Sequence, residues 1–221
     1  MFGFDLVEIV FIATIFIFSI SVHEFTHALT SYILGDHTPK IQGKISLNPI
    51  KHLSFLGFLS VFFINFGRGK YTQTNYSFYK NPIKDQIIVA SSGPFINFFI
   101  AIIAVLLIVT YSFFWLEITH PANINVEENS ILLFLYLTAF INIILAALNI
   151  LPIPPLDGFR LVKFFYPESS KIIEKYGIYL AFGLILLIFI PYTGNFIEST
   201  TAKIGDFIYG ILFVIVSNIF Y

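Results

Sequence analysis

The sequence predicts an all-α, polytopic membrane protein, and three observations carry that prediction. Of the 221 residues, 57% are hydrophobic and only 11% are Asp, Glu, Lys or Arg, against about 25% charged in a typical soluble domain. Five apolar runs approach or exceed the roughly 20 helical residues needed to cross a hydrocarbon core about 30 Å thick. Lys and Arg collect in two connecting regions and avoid a third, the asymmetry expected of loops sorted across a bilayer. A chain this poor in charge, with a mean hydropathy of +0.85, cannot coat a soluble sphere with polar side chains, which excludes a soluble enzyme. Twelve basic against thirteen acidic residues give a net charge of −1, so no bulk field draws nucleic acid. The absence of Cys excludes disulfides and thiolate metal sites. Residues 1–221 read as one integral membrane domain whose surroundings are the lipid bilayer.

The expected spans run over residues 4–34, 86–114, 131–151, 176–192 and 204–221. The first stops at Gly35-Asp36, with Thr38-Pro39 beyond it, a helix-ending combination. Asp5 and Glu8 stand where a signal peptide would be basic, so the first helix is expected to remain in the mature protein. The run Leu53–Phe66 has fourteen residues, which suits a re-entrant or interfacial segment better than a span. Around it, 40–47 and 70–74 have a strand-like pattern and are expected to pair as a small β-hairpin at the cytoplasmic surface.

Charge placement sets the orientation. Seven of the twelve basic residues lie between 35 and 86 and four between 152 and 177, whereas 115–130 has none and carries Glu117, Glu127 and Glu128. Basic loops stay in the cytoplasm, so the N-terminus is expected outside and the C-terminus inside, in the cell membrane of a prokaryote.

The chemistry is concentrated in His23-Glu24-Phe25-Thr26-His27, an H-E-x-x-H pattern. Residues four apart share one helix face, so both imidazoles can reach one metal ion, with Glu24 beside them to take a proton from water. Random placement of five His and eight Glu in this chain gives the pattern with a probability of roughly 0.4%. A polar cluster bonding to neighbouring helices is the plainer reading, but ionisable groups deep in an apolar helix cost about 2.5–3.5 kcal/mol on insertion scales and mark function by default. A catalytic zinc takes three protein ligands and leaves one position for water. The third span ends in Asn149–Gly158, with three prolines in four residues. Such unwound backbone is tolerated at membrane depth only inside protein or against a water-filled cavity. Asp157 on this segment is a candidate third ligand at matching depth, and a turn Asp before Gly is the competing reading.

Together, His23-Glu-Phe-Thr-His27, Leu34-Gly-Asp, Thr38-Pro39, Leu47-Asn-Pro49, Ser92-Gly-Pro-Phe-Ile-Asn97 and Asn149-x-x-Pro152 running into Leu156-Asp-Gly158 resemble the site-2 protease family of intramembrane zinc metalloproteases, peptidase family M50. The likeness spans most of the chain and is to the minimal branch without PDZ or CBS domains. It implies one Zn2+ per chain held by His23, His27 and Asp157, Glu24 as catalytic base, and Asn149 as an amide donor to the oxyanion formed on peptide attack. The implied substrates are transmembrane proteins cut within or near their spans. Two stretches depart from the family pattern: Asn48-Pro49 leads into His52-Leu-Ser-Phe55 where relatives read N-P-x-x-H-x-D-P, and Arg68-Gly-Lys-Tyr-Thr72 replaces W-A-K-P-V. Both bear on specificity rather than on the metal.

Asn142 shares a small, polar helix face with Ala146 and Asn149, and helix–helix bonding is its expected role. For Asn97, on a face with Ala101, packing and a site role stay equally open. His37 and His52 are expected as exposed interfacial side chains rather than ligands. Two alternatives to a protease belong to other classes: a membrane metal transporter, which would need ligands on both sides of the midplane, and an inactive homologue that binds membrane proteins as a scaffold.

Overall fold

The computed structural model describes residues 5–52, 72–116, 126, 129–189, 203, 210, 211 and 214. The described elements are α1 (Leu6–Ile33), α2 (Thr38–Ile41), α3 (Pro82–Trp115), α4 (Ser130–Ile150), α5 (Gly158–Phe165) and α6 (Pro167–Phe189). Short 3-10 turns occupy Pro49–Lys51 and Tyr76–Phe78. Helices α1, α3 and α4 are long and apolar enough to cross a membrane. The expected span over 204–221 lies almost wholly outside the described residues, as do Leu53–Phe66 and most of 115–130.

Each long helix has a physical start. Asp5 caps α1 by accepting from Leu6 N at 2.6 Å, while the Glu8 carboxylate accepts from Asp5 N at 3.1 Å. This reciprocal box puts negative charge on the helix N-terminus. The other end of α1 closes with Asp36 N bonded to Ser31 O at 3.1 Å and Gly35 at φ 111°, a left-handed closure in which Gly avoids a Cβ clash. Asn129 starts α4 by accepting from Ile131 N and Leu132 N. Pro94 lies inside α3, tolerated because neighbouring helices cover the interrupted backbone.

α3 packs most extensively on α4, and α1 leans on both. The packed face of α1 is polar: Ser19, His23, His27 and Ser31, each four residues from the next, are all buried. Leu6, Val10, Phe18 and Ile33 are exposed, as expected where the outer solvent is lipid. Asn142 fulfils its helix-bonding expectation, donating from Nδ2 to Ser19 Oγ at 2.8 Å across the α4–α1 interface.

The expected β-hairpin is not found among the described residues. Instead of a strand, residues 38–41 form one helical turn started by Pro39, followed by Gly43 at φ 67°. Residues 72–75 carry no regular structure, and 70–71 lie outside the described residues. A proline-started helical turn and a left-handed glycine override the weak alternation of 40–47. Helix α6 also begins earlier than expected, at Pro167 rather than 176, because proline suits a first helical turn whose polar residues a hydropathy reading passes over.

Candidate metal centre

Three buried side chains from two distant parts of the chain converge. His23 Nε2 lies 2.8 Å from Asp157 Oδ2, His27 Nε2 lies 3.1 Å from the same oxygen, and the two ring nitrogens are 3.1 Å apart. The helix supplies the imidazoles by their four-residue spacing. The segment after α4 supplies the carboxylate, and Gly158 lets it approach. A Cβ at Gly158 would stand 2.5 Å from Leu151 O and closer still to Ile150 O.

The far side of each imidazole is anchored on α3. His27 Nδ1 lies 2.7 Å from the Val89 carbonyl and 3.2 Å from Ser92 Oγ. A carbonyl only accepts, so Nδ1 of His27 carries a proton and Nε2 faces inward, free to ligate when a cation takes the place of its own proton. His23 Nδ1 donates to Asn97 Oδ1 at 3.1 Å, with the same result. Two imidazole nitrogens and a carboxylate oxygen therefore point at one small volume, an arrangement that a cation stabilises. Four ligand atoms around a zinc at about 2.05 Å are separated by about 3.3 Å, so the observed edges need to open by only a few tenths of an ångström. Room for an ion exists because residue 93 is glycine: a Cβ there would stand 2.5 Å from His23 Nε2 and closer still to His27 Nε2. The donor set and the space both fit a tetrahedral metal ion.

The profile of Peptidase family M50 matches residues 11–119 and 114–190, a range containing all three convergent residues. The chain belongs to peptidase family M50. It is 30% identical over 185 residues to "Putative zinc metalloprotease YwhC" of Bacillus subtilis, covering 82% of this chain and 80% of that protein. It is 33% identical over 164 residues to "Putative zinc metalloprotease Rip2" of Mycolicibacterium smegmatis, covering 69% of this chain and 56% of that one. The Mycobacterium tuberculosis (H37Rv) protein of the same name is 27% identical over 180 residues, covering 78% of this chain and 64% of that protein. No solved structure matches the chain.

In this M50 chain Glu24 is buried on α1, and its Oε2 accepts two hydrogen bonds from Thr72, one from N and one from Oγ1, both at 2.8 Å. The segment after Thr72 is fixed in turn. Asn75 N donates to Asp36 Oδ2 at 2.7 Å, Thr38 N to Asp36 Oδ1 at 2.9 Å, and Ser31 Oγ to Asp36 Oδ2 at 2.9 Å, with Tyr79 OH 2.8 Å from Ser31 Oγ. Asn149 is half-buried and donates to Leu145 O of its own helix at 2.8 Å, so its amide is not bonded to the convergent trio.

His37 is exposed, packing edge-on against Tyr32, as expected. His52 departs from expectation. It is fully buried, with Nε2 bonded to Ser46 O, because the turn at Pro49–Lys51, capped by Asn48, folds the ring back under residue 46. Burial pushes its pKa below the ordinary histidine value, and Lys44 reinforces the shift. His52 is not among the three converging ligand atoms. Sequence reasoning missed Gly93, Ser92 and Thr72 as site residues, although Ser92-Gly-Pro next to Asn97 is a polar, small interruption of an otherwise apolar helix.

Proposed function

We propose that this M50 protein is an intramembrane zinc endopeptidase, cutting peptide bonds within or near transmembrane segments of membrane-protein substrates. His23 Nε2, His27 Nε2 and Asp157 Oδ2 would hold the zinc. The observation that carries the reading is the convergence of three buried ligand atoms, with each imidazole backed on its far nitrogen by an acceptor on α3. Bound there, zinc supplies Lewis acidity, bringing the pKa of a water towards about 7 and polarising a peptide carbonyl.

The chain's own residues supply the remainder. Glu24 accepts the proton of the attacking water and returns it to the leaving amine nitrogen. Thr72 keeps the Glu24 carboxylate oriented while the site is at rest. Asn97, Val89 O and Ser92 fix the imidazole tautomers, a support that in metal sites is typically worth about 10–100-fold in affinity. Asn149 is assigned the oxyanion role, for which its amide leaves Leu145 O, exchanging a bond of about 1 kcal/mol for one to a developing charge. The placement of the basic regions supports a cytoplasmic setting for the site, with the N-terminus outside.

The test is co-reconstitution of the full chain with candidate single-span proteins, comparing wild type with Glu24→Gln. The variant is expected to keep its zinc and leave the substrate uncut. Cleavage by Glu24→Gln at the wild-type rate refutes the assignment of the base. Zinc uptake into vesicles by both proteins, without cleavage by either, would favour the transporter instead.

A further inference from the structure

Asp157 divides its two oxygens between two tasks. Oδ2 faces both imidazoles, while Oδ1 accepts from Arg160 Nε at 3.0 Å. Arg160 is three residues on, in the first turn of α5, where i and i+3 side chains are neighbours. Its side chain is only 17% exposed, and its buried Nη2 has no hydrogen-bond partner among the described residues. An arginine retained for the strength of the ion pair would turn its fork so that two N–H groups meet both carboxylate oxygens. That geometry is closed off here because Oδ2 is turned to the histidines. A buried guanidinium nitrogen left unpaired is destabilising, so the one-bond arrangement is better explained by its effect on Asp157 than by what it adds to the fold.

We propose that Arg160 is a positioning residue that restricts Asp157 to a single ligating oxygen and so holds the metal at three protein ligand atoms and one water. The proposal rests on the metal reading given above. Carboxylates ligate through one oxygen or both, and with Oδ1 tied to the guanidinium only Oδ2 remains. Without Arg160, the carboxylate is free to turn both oxygens to the ion, adding a fifth ligand atom beside the water that a catalytic site holds in its fourth position. A guanidinium also repels a dication, so affinity sums two opposed effects and coordination number is the cleaner readout.

The experiment uses the full chain in detergent, loaded with Co2+ alone, as wild type, Arg160→Gln, Arg160→Lys and Lys163→Gln. Lys163, on the same short helix, pairs with Glu174 at the surface and serves as the control. Tetrahedral Co2+ mixes d and p character more strongly than five- or six-coordinate Co2+, so its visible bands are the stronger. Wild type and Lys163→Gln are expected to show the strong spectrum. Arg160→Gln is expected to lose about twofold or more of the intensity per bound Co2+ as a fifth ligand atom enters. Arg160→Lys, whose ammonium still donates to Oδ1, should recover most of it. Arg160→Met keeps the stem's packing without a buried unpaired nitrogen, and replaces the Gln variant if that one does not fold. An Arg160→Gln or Arg160→Met spectrum identical to wild type at equal Co2+ content overturns the proposal and leaves the metal reading standing. A wild-type protein that takes up neither Co2+ nor zinc overturns the metal reading, and this proposal with it.

Discussion

Replacing Gly93 with Ala tests whether the space between the imidazoles is reserved for an ion. The added Cβ would stand 2.5 Å from His23 Nε2, against an ordinary contact of 3.4 Å or more, so about 0.9 Å of separation must be found. If α3 withdraws by that amount, the His23–Asn97 bond stretches from 3.1 Å to about 4.0 Å and the His27–Val89 bond from 2.7 Å to about 3.6 Å, both past hydrogen-bonding range. If the rings swing away instead, the three ligand atoms no longer converge. Loss of one supporting partner costs about 10–100-fold in metal affinity, and here two are lost together with the space itself. The expected result is a drop in zinc affinity of at least about 100-fold, with helix content near wild type because one methyl of overpacking costs about 1–3 kcal/mol. Competition for zinc against a chromophoric chelator, alongside circular dichroism, measures both. A folded Gly93→Ala protein that holds zinc as tightly as wild type refutes the cradle argument.

Asp157→Ala is expected to lose most of the bound zinc in metal analysis, whereas His52→Ala should leave the stoichiometry unchanged. Burial alone would raise the pKa of Asp36, but donors from Thr38, Asn75 and Ser31 outweigh it and hold the carboxyl below its usual value. A depressed folded-state pKa contributes stability above about pH 4, lost as pH falls through the folded value. Asp36→Asn should therefore destabilise the protein by about 2–4 kcal/mol at pH 7, since hydrogen bonds to a charge are worth about 1.5–3 kcal/mol each. In thermal melts the gap between wild type and variant should close as pH falls below about 4. Cysteine labelling, convenient in a chain without Cys, should find positions 75 and 168 in the cytoplasm and 123 outside; the reverse would overturn the orientation drawn from Lys and Arg.

What was legible in the sequence was mostly what local periodicity and hydropathy control. The first three spans were expected over 4–34, 86–114 and 131–151 and are found at Leu6–Ile33, Pro82–Trp115 and Ser130–Ile150. The pairing of His23 with His27 follows from helical spacing alone. The approach of Asp157 could be anticipated because proline-broken backbone near a buried polar cluster has few other reasons to exist. What could not be read depends on distances between elements. Gly93 matters only because α3 passes directly against the imidazoles, and Thr72 only because its segment folds over Glu24. His52 was expected in the open because basic neighbours surround it in sequence. Its burial comes from a turn three residues long. The strand expectation for 40–47 failed where Pro39 and Gly43 imposed their own backbone geometry.

The two contributors to the convergent trio lie far apart along the chain. His23 and Asp157 are separated by 134 residues, so an ion gripped by both acts as a crosslink closing most of the polypeptide into one loop. Chain-closure entropy rises with the logarithm of loop length, and clips across long loops remove the most freedom from the unfolded ensemble. In a bilayer this effect has extra weight, because apolar helices gain little by leaving lipid for one another. The segment carrying Asp157, whose following helix α5 also packs on α3, would then be tied to α1 by the ion. Chelation would act on the tertiary assembly as well as on the chemistry, loosening the end of α4 and the start of α5 while α1 and α3 stay packed. Catalytic competence and the docking of the Asp157 segment would thus share a single occupancy.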